Sequence, residues 1–142
     1  MDPNYTSLTL NGKKHSCKTL LEDTENILKS WSAPGWQKKI HLFIQDWLSP
    51  ATHLEVTTSG STGTPKTIKI SKESMGKSAL RTGKFFGLQP GDSALLCLPV
   101  DYIAGKMMVV RAFALGLDLV TVHPSSDPLR DVDMSFKFAA MT

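Results

Sequence analysis

Hydrophobic residues recur at helical spacing in the first fifty positions and form short runs after them. An alternating stretch that ends at Leu10, followed by Asn11-Gly12, predicts a β-hairpin at the start of the chain. Thr19 and Glu22 fit a capping box, which predicts the start of a first helix. The apolar face predicted for this helix consists of Leu20, Leu21, Ile27, Leu28 and Trp31.

A second amphipathic helix is predicted to begin near Trp36 and to end at Ser49-Pro50. Its apolar positions are Ile40, Phe43, Ile44, Trp47 and Leu48. Apolar stripes at this spacing are usually buried, so we predict that the tryptophans of both helices contribute to the core.

Two β-like runs follow, from His53 to Thr58 and from Lys66 to Ile70, with a Gly/Ser/Thr-rich loop between them. Ser71 is a good N-cap for the next predicted helix. The inner face predicted for that helix consists of Met75, Ser78, Ala79, Thr82, Phe85 and Phe86.

The remaining pattern alternates between strand and helix. The predicted segments are a strand over Ala94–Leu98, a helix over Ile103–Leu115, a strand over Leu119–Val122 and a strand over Ser135–Ala140. Continuous apolar runs of this kind are typical of buried parallel strands. The order predicts an α/β fold with a largely parallel sheet flanked by helices. Since no helical pattern follows the last strand, we expect the chain to be part of a longer βα series.

The 142 residues have a hydrophobic share of 41% and a charged share of 20%, which excludes disordered and low-complexity classes. The net charge of +3 is too small and too scattered to indicate a nucleic-acid or membrane partner. Cys17 and Cys97 lie far apart, and the four histidines show no paired spacing, so no metal site is predicted. With no secretory signal and no segment long enough to span a bilayer, a cytoplasmic protein is expected.

The loop between the first two strands is the most informative stretch for function. Its nine residues are Thr58, Ser59, Gly60, Ser61, Thr62, Gly63, Thr64, Pro65 and Lys66. Glycines permit positive φ, so successive backbone N–H groups can converge on one point, while the hydroxyls add donors and Lys66 adds a positive charge. Such a loop suits the oxygens of a polyphosphate.

Two other interpretations of this loop fit the sequence less well. A flexible linker has a similar composition, but a linker has no reason to lie between two strands of one domain. A Walker A loop would span Gly60 to Thr67, but Pro65 stands where its second glycine belongs, and a strand pattern follows Lys66 instead of a helix.

The nine residues resemble the [ST]-S-G-[ST]-T-G-x-P-K phosphate loop of the adenylate-forming enzymes, the superfamily that includes acyl-CoA synthetases and luciferases. Every fixed position is filled, although Thr67 stands where the family usually has glycine. The fold that the resemblance implies is an incomplete portion of the N-terminal domain of these enzymes. Residues 1–50 would form an N-terminal hairpin and two helices, and residues 51–142 the first part of the AMP-binding α/β domain.

A second segment, from Leu98 to Gly105, resembles the family's L-P-x-x-H-x-x-G sequence, with Tyr102 in place of the histidine. The resemblance assigns Tyr102, Gly105 and Arg111 to the pocket for the acyl substrate. Within the superfamily, this segment together with Arg111 is similar to the O-succinylbenzoate–CoA ligases of menaquinone biosynthesis. A guanidinium suits the carboxylate of a dicarboxylic acid, but an arginine that only reaches the helix edge or pairs with an acid is an equal alternative.

The activity implied by the resemblance is ATP-dependent acid–CoA ligation, with Mg²⁺-bound ATP and coenzyme A as co-substrates. No catalytic residue is assigned within these 142 residues, and we expect the chain to be inactive by itself. The partners implied are small molecules, and a homo-oligomer is possible. The alternatives left open are a non-catalytic nucleotide- or anion-binding α/β module and a plain α/β domain whose loop matches by chance.

Overall fold

The computed structural model describes residues 6–58, 63–125, 127, 129 and 135–140. Helices and strands of the described part alternate along most of its length. In chain order they are β1 (Ser7–Leu10), β2 (Lys13–Ser16), α1 (Cys17–Lys29), α2 (Gly35–Leu48), β3 (His53–Thr58), β4 (Lys66–Ser71), α3 (Lys72–Phe86), β5 (Ser93–Leu96), α4 (Ile103–Leu115), β6 (Asp118–Thr121) and β7 (Phe138–Ala139).

The main sheet has five strands in the order β2-β1-β6-β5-β7. Three of its four strand pairs are parallel, namely β1 with β6, β6 with β5, and β5 with β7. Helices flank the sheet, so the predicted fold class, an α/β fold with a largely parallel sheet flanked by helices, is confirmed.

Strands β3 and β4 form a separate two-stranded antiparallel sheet. The sequence pattern predicted both strands, but it did not predict that they pair only with each other. Their register runs from His53 opposite Ser71 to Thr58 opposite Lys66. The candidate phosphate loop therefore connects the ends of an antiparallel hairpin.

The N-terminal hairpin is confirmed, since β1 and β2 pair directly and the turn between them has positive φ at Asn11 and Gly12. The predicted start of the first helix is wrong. The N-cap is Ser16, whose hydroxyl accepts a hydrogen bond from the Thr19 N–H, so Thr19 lies three residues inside the helix.

The predicted apolar face of α1 is also partly wrong. Leu20 is fully buried, but Leu21 is exposed and Trp31 is 94% exposed. Helix α1 ends at Lys29 because Ser30 has an extended backbone, with ψ of 122°, and Trp31 follows outside the helix. The inner face of α1 instead includes the buried side chains of Cys17 and Thr24.

Helix α2 confirms its predicted apolar face, with all five predicted residues buried. Trp47 belongs to the core as predicted, and Trp36 is partly buried against it. The core itself lies between the sheet and helices α1, α2 and α4. Its fully buried side chains include Leu8, Leu20, Ile44, Leu96, Met108, Val109, Val110, Leu117 and Leu119.

Helix α3 has its predicted N-cap, because the Ser71 hydroxyl accepts from the Ser74 N–H. Its predicted inner face is wrong at two positions, since Phe85 is 82% and Phe86 54% exposed. The buried stripe consists of small residues and one methionine: Met75, Gly76, Ala79 and Gly83. A Cβ on Gly83 would lie 2.4 Å from Leu115 Cδ2. Close packing of α3 on α4 through this small-residue stripe turns the phenylalanines outward.

Helix α4 has its predicted bounds, and Gly116 ends it with a left-handed conformation. The last strand is much shorter than predicted. Only Phe138 and Ala139 of the predicted Ser135–Ala140 segment join the ladder, each opposite a residue of β5. Among the described residues, this strand forms one edge of the sheet.

Strand β1 belongs to the same sheet as β5 and β6, which joins the N-terminal hairpin to the later α/β elements. The division of the chain after residue 50 stays a prediction. In the described residues, no helix is both long enough and apolar enough to cross a bilayer.

Candidate functional site

The strands around the candidate phosphate loop are paired up to its two ends. Thr58 lies opposite Lys66 in the β3–β4 ladder, and the Thr58 hydroxyl donates to the Lys66 carbonyl at 3.3 Å. The antiparallel pairing therefore brings the two ends of the nine-residue segment together. Of the predicted phosphate-binding residues, Ser59, Gly60, Ser61 and Thr62 lie outside the described residues.

The described residues of the loop are open to solvent. Gly63 has φ of 89°, and a Cβ there would meet nothing within 4 Å. Thr64, Pro65 and Lys66 are exposed. Since Lys66 begins a strand, the structure excludes a Walker A arrangement, in which the lysine would begin a helix.

The second candidate segment, from Leu98 to Gly105, forms the turn between β5 and α4. Tyr102 is the N-cap residue of α4 by its backbone conformation, and its side chain is 44% exposed. Gly105 lies in the first turn of α4, where a Cβ would be 2.2 Å from the Pro99 carbonyl oxygen. Only a residue without a side chain allows this contact, so Gly105 holds the turn against the helix.

Two lysines fix the same turn from either side. Lys106 Nζ donates to the Val100 carbonyl and lies 5.2 Å from the centroid of the Phe43 ring. Lys39 Nζ, on α2, lies 3.0 Å from Asp101 Oδ2. Burial lowers the pKa of Lys106, while the carboxylate of Asp101 acts in the opposite direction. The turn is thus held by backbone packing, a hydrogen bond and an ion pair.

Comparison with known proteins shows the family to which the chain belongs. The sequence model of the family described as AMP-binding enzyme matches residues 8–139, nearly the whole chain. The chain belongs to the AMP-binding enzyme family. The superfamily that the resemblance implied is therefore confirmed, while the roles of the phosphate loop and of the Leu98–Gly105 segment stay predictions.

Solved structures agree with this family. An acyl-CoA synthetase (AMP-forming)/AMP-acid ligase II-like protein from Dyadobacter fermentans DSM 18053 is 36% identical, with a TM-score of 0.72. The similarity covers 87% of this chain and 33% of that protein, so the chain spans about a third of the length of this relative. The chain is accordingly related to adenylate-forming acyl-CoA synthetases.

Two further structures are similar over smaller regions. A natural red emitting luciferase from Phrixothrix hirtus is 28% identical over 51% of this chain and 14% of its own, with a TM-score of 0.44. The N-terminal domain of FACL13 from Mycobacterium tuberculosis is 20% identical over 74% of this chain and 30% of its own, with a TM-score of 0.49. No curated protein matches the chain significantly.

Arg111 lies half-buried on α4. Its guanidinium carbon is 5.6 Å from the centroid of the Phe138 ring, and its Nη1 is 3.5 Å from Met108 Sδ. Burial lowers the pKa of Arg111, although a guanidinium remains charged at neutral pH. Nε of Arg111 is buried and has no hydrogen-bond partner among the described residues. No salt bridge within that part of the chain involves Arg111.

The three residues assigned to the acyl pocket do not converge in the described structure. Tyr102 and Arg111 are nine positions apart on α4, about 13 Å along the helix axis. The Cα of Gly105 packs against the Pro99 backbone, so this side of the residue is not available to line a pocket. Their role in acid binding stays a prediction.

Sequence reasoning missed Lys106 and the Lys39–Asp101 pair. Lys106 and Arg111 are the two charged residues of the otherwise apolar helix α4. Its charge in this apolar helix is the one sequence feature that could have pointed to Lys106. The Lys39–Asp101 contact joins residues 62 positions apart, so no local pattern could predict it. Among the described residues, no group of three or more histidine, cysteine or acidic side chains could hold a metal ion.

Proposed function

We propose that the Thr58–Lys66 loop binds the β- and γ-phosphates of ATP. The donors would be the hydroxyls of Ser59, Ser61 and Thr62, the backbone of Gly63 and the ammonium of Lys66. The observation that carries the proposal is the Thr58–Lys66 pairing, because it brings the two ends of the loop together at the end of a hairpin. Exposure of Lys66 leaves its charge available to a ligand.

The reaction we propose for the whole enzyme is acid–CoA ligation in two steps. A carboxylate oxygen of the acid attacks the α-phosphorus of ATP, and the bond from that phosphorus to pyrophosphate breaks. The thiolate of coenzyme A then attacks the acyl carbon and releases AMP. Donors of the loop would stabilise the charge that develops on the leaving pyrophosphate. Mg²⁺ bound to the nucleotide would neutralise part of the phosphate charge.

The acid we propose is O-succinylbenzoate, an aromatic dicarboxylate, for use in menaquinone biosynthesis. Arg111 supports this proposal because its buried Nε lacks an acceptor among the described residues, and a carboxylate would supply one. Tyr102 is assigned to the same pocket by the family resemblance alone. Gly105 would act by holding the turn that carries Tyr102 in contact with α4.

We also propose that the 142-residue chain alone completes no turnover, since it spans about a third of its acyl-CoA synthetase relative. Its partners would then be small molecules in the cytoplasm, and neither a nucleic acid nor a membrane. Incubation of the purified chain with O-succinylbenzoate, ATP and coenzyme A should yield no thioester. Detectable thioester by mass spectrometry would refute this part of the proposal.

Calorimetric titration with pyrophosphate, ATP and AMP tests the loop directly. Pyrophosphate and ATP should bind more tightly than AMP, which lacks the β- and γ-phosphates. Lys66→Ala should weaken pyrophosphate binding by about tenfold or more, since a charge-assisted hydrogen bond contributes about 1.5–3 kcal/mol.

The matched control is Lys69→Ala. Lys69 is an exposed lysine of the same strand, three residues further from the loop. Equal losses in the two variants would indicate a general effect of charge and contradict a specific loop site. Binding of pyrophosphate, ATP and AMP with equal affinity would instead favour the non-catalytic anion-binding module.

A further inference from the structure

A groove lies at the carboxyl ends of β5 and β6, and none of the residues given a role in the proposed reaction lines it. Residues 98–101 follow β5, residues 122–124 follow β6, and α2 closes the third side. Its volume is about 310 Å³. Open α/β sheets hold ligands at the carboxyl ends of their strands, most often where the strand order reverses, which in this sheet is between β5 and β7. The groove lies at the same end of the sheet beside that reversal, and small-molecule sites begin at about 300 Å³. Position and size therefore fit a small ligand.

The walls of the groove suit a flat ring. Trp36 from α2 and His123 from the end of β6 meet edge to face, with ring centroids 6.1 Å apart and an interplanar angle of 69°. Ile40 and Val100 are buried and form apolar floor positions. An aromatic ring placed here would contact two rings and two aliphatic side chains.

The polar groups at the rim determine which ring fits. Lys39 and Asp101 both line the groove, and their ion pair places a donor and an acceptor 3.0 Å apart. Both side chains are substantially exposed, at 57% and 42%, so the ion pair itself contributes little and can accept a third group. The pair has no net charge, which disfavours an anion and favours a neutral group with an acceptor beside a donor.

We propose that this groove binds a neutral aromatic carboxamide, with the ring against Trp36 and His123. The carboxamide oxygen accepts a hydrogen bond from Lys39, and its NH₂ group donates to Asp101. No residue of the phosphate loop takes part, so the site is independent of ATP binding and goes beyond the ligase function.

The test is a titration of the full chain with benzamide, followed through the indole N–H signals of its three tryptophans by NMR. The Trp36 signal, assigned with Trp36→Phe, should shift saturably with a dissociation constant of about 1 mM, as expected for so small a ligand. The signal of Trp31, which is 94% exposed and outside the groove, should not move. Benzoate, whose carboxylate would face Asp101, should bind about tenfold more weakly.

The double variant Lys39→Ala/Asp101→Ala should lose about tenfold in benzamide affinity. The control is Glu73→Ala/Lys77→Ala, an exposed pair on α3 with the same 3.0 Å separation that lies outside the groove. Equal shifts at Trp31 and Trp36, tighter binding of benzoate, or no effect of the Lys39/Asp101 variant would each overturn the proposal. The absence of pyrophosphate binding would refute only the function of the loop.

Discussion

The two segments that resemble the family use their glycines in opposite ways. Gly63, in the phosphate loop, lies in open space and has a positive φ that other residues rarely adopt. Gly105, in the turn before α4, has no positive φ, but a Cβ on it would collide with the Pro99 carbonyl. One glycine therefore serves backbone conformation, and the other serves close packing.

The lysines of the two segments also differ in exposure, since one is open to solvent and the other is partly buried. Lys66 is exposed at the end of a hairpin and makes no salt bridge within the described residues. Lys106 is partly buried, and its ammonium donates to the Val100 carbonyl. The segments that resemble the family thus contain exposed residues that can contact a ligand and packed residues that stabilise the fold. Measuring stability and ligand binding separately in substituted proteins should distinguish the two kinds of residue.

The largest effect is expected from Gly105→Ala. The new methyl group would lie 2.2 Å from a backbone oxygen, which cannot move aside as a flexible side chain can. The free energy of unfolding should fall by about 3 kcal/mol, measured by urea denaturation. Gly35→Ala, at the start of α2 with nothing within 4 Å of its Cβ, should change stability by less than about 1 kcal/mol. Similar losses in both variants would contradict a close-packing role for Gly105.

Gly63→Ala should have a smaller effect of a different origin. The cost arises from holding alanine at φ of 89°, about 1–2 kcal/mol, because there is space for the methyl group. Gly63→Asn should recover part of this loss, since asparagine tolerates the left-handed region better. Urea denaturation checks both variants. A Gly63→Asn protein as unstable as Gly63→Ala would contradict a conformational role.

Acid should lower the free energy of unfolding through His41, which is buried on α2. Burial lowers the pKa of His41, against the charge of Asp23, while neighbouring His15 lowers it further. The unfolded state therefore takes up a proton first as the pH falls below about 6.5, and the free energy of unfolding decreases until the folded-state pKa is passed. Urea denaturation from about pH 8 to about pH 5 should show a smaller decrease in His41→Gln than in the native chain. An unchanged slope would exclude His41 as the source.

The smallest effect is expected from Lys39→Ala. Its ion pair with Asp101 is exposed, so the free energy of unfolding should fall by only about 0.2–1 kcal/mol. Urea denaturation at low and high salt measures this loss, which should shrink as salt rises. A loss above about 2 kcal/mol would contradict the assignment of this ion pair as a weak, exposed one.

Local patterns predicted the elements well where neighbouring residues decide the structure. The bounds of α4 were predicted as observed because an apolar run ends at Gly116, and the β3–β4 strands were predicted within one residue. Prediction was wrong for Phe85 and Phe86, which share their spacing with the buried Met75 and Ala79. The spacing of apolar residues does not determine which face of a helix packs against its neighbour. In α3 the face with the glycines packs against α4, because these residues allow the two helices to approach closely.

By itself, the sequence determined the fold class, the family and the candidate phosphate loop, because these depend on short motifs and on the order of elements. Only the tertiary structure decided that Gly105 packs on a carbonyl six residues earlier and that Arg111 lies beside Phe138, far from Tyr102. The groove also depends on the assembled fold, since its parts come from α2 and from the ends of two strands. Contacts between distant residues follow from how the elements pack, and that information is spread over the whole chain.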